Sequence, residues 1–346
     1  AEHGCGRALW ERDQRENGNK RYGSSMALML LPFWTDGCIT SSEGLYFEAS
    51  GTTPYHFLTT AALSENASPP VRQMRVVNND AEVGVGYART LGIRYVMLTR
   101  PDAIAEADKR PELTQIATSG PWTIYRLSDP DVDAGRTDSE LVVPLDVQPI
   151  VINERAGDQR ECWLEVGTSW FQRRDTWPAL PAENGPDDWE RLNVAIIEAE
   201  QVPPEQPNDG CGDPQYSLSR DVNVVGLARQ PEIVELPEIT VSDVEIGNQT
   251  VSFEVSEPGV PVLVRVSYFP NWTARGAEGP YRVAPNFMVV VPTETRVELS
   301  YHRTTLDIAF EATTAFGLVA AAGLYLGTRR GWRWATPGEQ RHTNDD

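Results

Sequence analysis

The sequence has few basic residues for its length. Its 346 residues include 30 Lys and Arg against 50 Asp and Glu, so the formal net charge is −20 at pH 7. A field of this sign repels phosphate groups, and we therefore expect no nucleic acid among the partners. Hydrophobic residues make up 40% of the chain and aromatic residues 9%, which excludes a wholly disordered protein and a polytopic membrane bundle.

Residue types that bind metals or act as nucleophiles are also scarce. The chain has four histidines, which are scattered and mostly near its ends: His3, His56, His302 and His342. It contains no GxSxG, HExxH or P-loop motif. Gly84 and Gly86 do not form a dinucleotide-binding loop, because Arg89 occupies the position of the third glycine. We assign no catalytic residue, metal or cofactor to this chain, and whether the parent protein is an enzyme stays open.

The chain has four cysteines, and their spacing is not that of a zinc site. Cys5, Cys38, Cys162 and Cys211 form no CxxC or CxxH pair, which argues against a zinc site. In an oxidising compartment the sequence-local pairings would be Cys5–Cys38 and Cys162–Cys211. Free buried thiols are the alternative.

Long apolar runs are missing except at the C-terminal end. From Ile308 to Thr328 only Glu311 is charged, and as a helix these residues would extend about 31 Å, close to the hydrocarbon thickness of a bilayer. We predict a transmembrane helix at 306–328. The alternative is an Ala-rich helix buried in a soluble core.

Charged and aromatic residues around this run favour the membrane interpretation and set its orientation. Arg329, Arg330 and Arg333 follow it beside two tryptophans, a composition typical of a cytoplasmic anchor. We therefore expect residues 329–346 to form a cytoplasmic tail. The bulk of the chain would then be extracytoplasmic at the cell membrane.

The polar N-terminal segment contains no apolar stretch that would direct export. The first apolar run, Met26–Trp34, is too short to span a bilayer and contains Pro32. We therefore expect the chain to be the C-terminal piece of a larger membrane protein, with upstream transmembrane helices of the same parent as partners, together with membrane lipid.

Residues 1–128 show the pattern of a small α/β unit in an exoplasmic region. The apolar spacing predicts a helix over Asn79–Leu91, and Ile93–Leu98 reads as a buried strand. A polar helix with Pro101 near its first position should follow. Two short strands joined at Ser119-Gly120-Pro121 then form a predicted hairpin.

The segments that follow are β-rich. Residues 129–229 form an irregular β-containing insertion with Pro-rich loops. Residues 230–302 break into about five strands at regular turn signals, which predicts a juxtamembrane antiparallel β-sandwich. The fold class we expect is thus α+β: a small α/β unit plus an antiparallel β-sandwich, followed by a single C-terminal transmembrane helix.

Aromatic and acidic residues crowd together early in the chain. Planar rings beside carboxylates typically line carbohydrate sites, where sugar CH faces stack on rings and hydroxyls bond to oxygens. An ordinary loop-rich core with capped turns is the alternative. The predicted glycan contacts are Trp34, Asp36, Glu43, Tyr46, Glu48, Tyr55 and His56.

Two stretches resemble a known family of membrane proteins. The turn Tyr268–Trp272, with sequence YFPNW, and the closing strand Val297–Tyr301 are similar to the juxtamembrane β-domain of YfhO-like bacterial proteins. The segment LGIRYVML resembles their small α/β unit. Departures from the family pattern are Asn271, where glycine is usual, and Glu294-Thr295, where Gly-His is common.

The segment MALMLLPFWTDGCITSSEGLYFEASGTTPYHFL looks like large actinobacterial members related to polyprenyl-phosphate-sugar-dependent glycosyltransferases. In that class the catalytic carboxylate belongs to an early loop that this chain does not contain. The resemblance therefore implies recognition of a glycan or a polyprenyl-phosphate sugar, without catalysis by these residues. A hypothesis of a different class is a non-enzymatic ectodomain that acts as a structural or interaction module.

Overall fold

The computed structural model describes residues 3–11, 27–41, 51–65, 76–153, 159–198 and 224–329. They contain seven α-helices: α1 Leu31–Trp34, α2 Thr53–Leu63, α3 Ala81–Thr90, α4 Pro101–Ala107, α5 Pro130–Asp133, α6 Gln159–Gln172 and α7 Thr305–Arg329. Short 3₁₀ helices cover Ala27–Leu30 and Arg174–Thr176.

Eighteen strands accompany these helices in the described residues. The first nine are β1 Gly6–Trp10, β2 Ile39–Ser41, β3 Ile93–Leu98, β4 Leu113–Ser119, β5 Trp122–Leu127, β6 Val142–Pro144, β7 Ile150–Ile152, β8 Pro181–Ala182 and β9 Arg191–Leu192. The others are β10 Val194–Glu198, β11 Val224–Leu227, β12 Val241–Ile246, β13 Thr250–Val255, β14 Val262–Val264, β15 Trp272–Arg275, β16 Ala277–Val283, β17 Phe287–Pro292 and β18 Arg296–Tyr301. The predicted α+β class is confirmed.

The α/β unit is built on a five-stranded sheet with the order β2-β1-β3-β5-β4. Strands β2, β1 and β3 are parallel, whereas β5 and β4 form the predicted antiparallel hairpin. The predicted helix before β3 is α3, whose first turn is capped by Asp80: its carboxylate accepts from the backbone NH groups of Glu82 and Val83. Pro101 is the first residue of α4, as expected.

Gly84 is a packing residue. A Cβ atom at this position would lie 2.6 Å from Cγ of Leu63, so only glycine lets α3 approach α2 this closely. Gly84 thus serves the contact between two helices, whereas a Cβ atom at Gly86 would have no neighbour within 4 Å.

The predicted β-sandwich is present, and one of its sheets extends further than expected. A four-stranded sheet, β12-β13-β18-β15, packs on a seven-stranded sheet, β6-β14-β17-β16-β8-β7-β9. The second sheet therefore combines strands from both sides of residue 229. Residues 1–300 form one compact unit.

Both faces of the seven-stranded sheet are covered. Val262, Val264 and Met288 point into a core shared with the four-stranded sheet, and Leu263 and Val289 join the core of the α/β unit. A strand buried on both faces needs a nearly continuous apolar sequence, and this explains the runs VLV and FMVVV.

Two arginines connect the α/β unit to the sandwich. Arg7 in β1 donates from Nη1 to the carbonyl of Leu91 at 2.6 Å and from Nη2 to that of Arg265 at 2.9 Å. Arg265 in turn donates to the carbonyl of Glu140 at 2.6 Å. Burial lowers the pKa of Arg7 to about 10, and the nearby positive charge of Arg265 adds to this effect.

The second unit begins at Tyr301, and its described part is dominated by α7. Residues Thr305–Gly327 of this helix are long and apolar enough to cross a membrane, with a mean hydropathy of 1.4, and the chain buries none of that window. The predicted C-terminal apolar helix is therefore confirmed. The alternative of an Ala-rich helix wrapped by this chain is wrong for the described residues.

Candidate functional site

Four of the seven predicted glycan-contact residues lie among the described residues. Trp34 is the last residue of α1 and is 58% exposed, and Asp36 lies in the turn between α1 and β2. Tyr55 and His56 lie on α2 and are each 1% exposed. Glu43, Tyr46 and Glu48 lie outside the described residues. The four described side chains thus do not line one open surface, and glycan binding by this set stays a prediction.

One of the two predicted cysteine pairs is present as a disulfide. Cys5 and Cys38 are bonded, with a Cα–Cα distance of 4.6 Å, and they cross-link the N-terminal ends of β1 and β2. The side chain of Cys162 and the whole of Cys211 lie outside the described residues. Their pairing therefore stays a prediction.

The buried Tyr55, one of the predicted glycan contacts, lies next to a second group of residues. Its ring lies 4.9 Å from that of Phe171 in α6. Burial raises the pKa of Tyr55 to about 12, an effect that the nearby Thr168 side chain and the positive charge of Arg282 partly oppose. The close approach of α6 is possible because residue 167 is glycine: a Cβ there would lie 2.8 Å from the Tyr55 hydroxyl oxygen.

Arg282 in β16 is the centre of this second group. Its guanidinium carbon lies 5.2 Å from the centroid of the Trp163 ring and 5.9 Å from that of Tyr268, both within cation–π distance. Its Nε donates to Asn286 Oδ1 at 2.8 Å, and its Nη1 donates to Glu183 Oε1 at 3.3 Å. We call these five residues the Arg282 cluster.

Four separate elements bring the cluster together. Trp163 lies on α6, Tyr268 in the turn between β14 and β15, and Glu183 directly after β8. Asn286 lies in the turn between β16 and β17 and donates to the carbonyl of Tyr268 at 3.4 Å. The cluster therefore lies where α6 meets the seven-stranded sheet.

The cluster is buried at its base and open at its edge. Trp163 and Asn286 are each 4% exposed, whereas the side chains of Arg282 and Glu183 are 23% and 22% exposed. Burial raises the pKa of the Tyr268 hydroxyl, Glu183 raises it further and Arg282 opposes the rise. The buried Nε1 of Trp163 has no hydrogen-bond partner within the described part of the chain.

The chemistry that this arrangement offers is recognition. Arg282 and Glu183 compensate each other's charge, so the cluster presents hydrogen-bonding groups beside aromatic rings without a net charge. No group of three or more His, Cys, Asp or Glu side chains that could hold a metal ion occurs among the described residues.

The buried carboxylate of Glu11 has its hydrogen-bonding capacity occupied. Its Oε1 accepts from Ser64 Oγ at 2.5 Å, and its Oε2 accepts from the backbone NH groups of Thr99 at 2.5 Å and Arg100 at 2.9 Å. The Thr99 hydroxyl donates to the same oxygen at 2.9 Å. Glu11 therefore joins the C-terminal ends of β1, β3 and α2 and has a structural role.

The sequence analysis did not predict the Arg282 cluster as a site. Tyr268 enters it only as the first residue of the YFPNW turn. Arg282 and Glu183 carried no local signal, because 99 residues separate them along the chain.

Comparison of the chain with protein-family models, with curated proteins and with solved structures found no match.

Proposed function

We propose that this chain is the membrane-anchored, extracytoplasmic part of an envelope protein and that it recognises a glycan or a lipid-linked sugar at the Arg282 cluster. The observation that carries the proposal is the arrangement of Arg282 against the rings of Trp163 and Tyr268, with Glu183 and Asn286 at hydrogen-bonding distance. Aromatic faces beside planar polar groups are what a sugar ring with hydroxyl groups requires.

The anchoring part of the proposal rests on α7 and its flanks. The helix has the length of a bilayer span, and Arg329 with Arg330 follows the apolar window. Arginine at one end favours the cytoplasmic side for that end. The disulfide between Cys5 and Cys38 supports the opposite side for residues 1–300, because such bonds persist in oxidising compartments.

The likeness to YfhO-like proteins and to polyprenyl-phosphate-sugar-dependent glycosyltransferases agrees with a sugar ligand. We assign recognition, and no catalytic step, to the Arg282 cluster.

The second candidate is a non-enzymatic module that braces a membrane assembly. It is favoured by the internal charge balance of the Arg282 cluster, because Arg282 already donates hydrogen bonds to Glu183 and Asn286. In that case Arg282 would hold β8, β16 and the turn before β17 together and would bind no ligand.

A binding experiment separates the two candidates. The full chain in detergent micelles is titrated with neutral hexose oligomers, uronate-containing oligomers and polyprenyl-phosphate mannose while tryptophan fluorescence is recorded. We expect a saturable change by millimolar concentrations for at least one of them. In Tyr268→Ala, loss of the stacking ring should weaken binding about tenfold, corresponding to ~1.4 kcal/mol.

The matched control is Trp272→Phe, four residues further along the chain, in the four-stranded sheet. Its affinity should equal that of the unchanged protein. No saturable response to any of the three ligands, or equal weakening in the two variants, would contradict glycan recognition at this cluster. The bracing role would then be favoured.

A further inference from the structure

The segment before β2 presents large apolar side chains to solvent. It consists of the 3₁₀ helix Ala27–Leu30 followed directly by α1, and it contains Leu30, Phe33 and Trp34, which are 46%, 82% and 58% exposed. We call these three residues the aromatic tip. A Phe and a Trp exposed side by side on one helical turn are unusual on a surface that faces only water.

The tip is held in place by the residues around it. Leu28, Met29 and Leu31 pack against the core that contains Trp10 and Met97. The segment therefore has an apolar face turned to the protein and a second apolar face turned away from it.

The turn that follows the tip is fixed by hydrogen bonds and by the disulfide. The hydroxyl of Thr35 donates to the carbonyl of Leu31 at 2.6 Å and accepts from the backbone NH of Ile39 at 2.9 Å. Gly37 donates to the carbonyl of Pro32 at 2.7 Å, and the next residue, Cys38, is bonded to Cys5. The exposure of the tip is thus a property of a tightly bonded turn.

The chemistry around the tip indicates what covers it. No charged residue occurs from Ala27 to Thr35, although the chain as a whole carries a net charge of −20. An acidic domain is not drawn to a membrane by electrostatics, so contact with lipid has to come from apolar insertion. Tryptophan and phenylalanine are suited to this position, since indole rings concentrate at the headgroup level of bilayers.

Helix α7 of the same chain would bring residues 1–300 close to a bilayer. Because α7 has the length and composition of a membrane span and the chain buries none of its apolar window, residues 1–300 are tethered to a lipid surface when that helix is inserted. We propose that the aromatic tip is a second membrane contact, with Phe33 and Trp34 inserted at the boundary between headgroups and acyl chains. This contact is separate from the glycan recognition proposed for the Arg282 cluster.

The test uses the full chain reconstituted into phosphatidylcholine bilayers whose acyl chains are either unmodified or brominated. Bromine quenches tryptophan fluorescence only at close range, so the emission lost in Trp34→Phe isolates the signal of Trp34 from that of the other tryptophans. We expect this difference signal to fall about twofold or more in brominated bilayers. The matched control is Trp170→Phe, whose difference signal should be the same in both lipids.

Substitutions at the neighbouring position test whether insertion depends on apolar chemistry. Phe33→Ser should remove most of the quenching of Trp34, and Phe33→Leu should retain it. Circular dichroism and the intact disulfide establish that each variant is folded. Equal quenching in Phe33→Ser and in the unchanged protein would contradict insertion.

The alternative occupants give different results. If a second copy covers the tip, Trp34 is protected from aqueous iodide in vesicles with many copies but accessible in nanodiscs that hold one copy, and bromine does not quench it. If another part of the same chain covers the tip, Trp34 is protected in both without bromine quenching. If nothing covers it, iodide reaches it in both. Each of these three results would overturn the proposal.

Discussion

Two segments that are neighbours in sequence differ in the exposure of their apolar side chains. In β18, Val297 and Leu299 are 0% exposed, because the strand lies inside the four-stranded sheet and faces the sandwich core. In α7, which starts four residues later, Phe316 and Leu318 are 74% and 68% exposed. The apolar side chains of β18 are covered by the sandwich core, whereas those of the helix have no cover within the described part of the chain. A bilayer is the cover that fits its length.

The largest expected effect separates a buried phenylalanine of the sandwich from an exposed phenylalanine of α7. Phe253 in β13 is 0% exposed, so Phe253→Ala leaves a cavity in the sandwich core and should lower the free energy of unfolding by about 3–5 kcal/mol. Phe316→Ala should change the unfolding free energy of residues 1–300 by less than about 0.5 kcal/mol. Urea unfolding in detergent, followed by tryptophan fluorescence, measures both. Similar losses of unfolding free energy in the two variants would contradict the difference in burial between the sandwich core and α7.

A second prediction, with a smaller expected effect, tests whether α7 is embedded in lipid. Leu318→Arg places a charge near the middle of the apolar window, which should cost about 2.5–3.5 kcal/mol of membrane insertion. The fraction of protein that stays in the membrane pellet after alkaline extraction should fall, with Leu318→Met as the control that keeps it. Unchanged retention of the arginine variant would argue against a lipid-embedded helix.

The smallest effect concerns the helix caps. Asp80 accepts from two backbone NH groups at the start of α3, and Asp80→Ala should destabilise the compact unit by about 1 kcal/mol. At the start of α7, Thr304 and Asp307 cap each other, with the backbone NH of Thr304 donating to Asp307 Oδ2 at 2.7 Å. Asp307→Ala should leave the urea midpoint of the compact unit unchanged. A shift as large as that of Asp80→Ala would show that the two units unfold together.

Local patterns in the sequence predicted the elements with strong local signals. The periodicity before Leu91, proline at the start of α4, the hairpin at Gly120 and the apolar run of α7 each depend on interactions between residues close in sequence. The alternating strands of the sandwich were recognisable for the same reason.

Non-local arrangements were not predictable in this way. Strand β6 pairs with β14, whose partner residues lie more than a hundred positions away, so no local pattern shows that the seven-stranded sheet includes residues 142–144. Crowding with other aromatic and acidic residues predicted Tyr55 as a glycan contact, but its position on α2 buries it. Arg282 acquires its surroundings only when α6 and three loops converge on it.

The place of β18 in the four-stranded sheet has a consequence for the order of folding. Its strand neighbours are β13 and β15, so the sheet lacks an inner strand until residues 296–301 have been synthesised. Only three residues then separate that strand from α7. Completion of the sandwich must therefore wait until the ribosome has reached the apolar helix, and the domain cannot finish folding while earlier parts of the chain are still being translated.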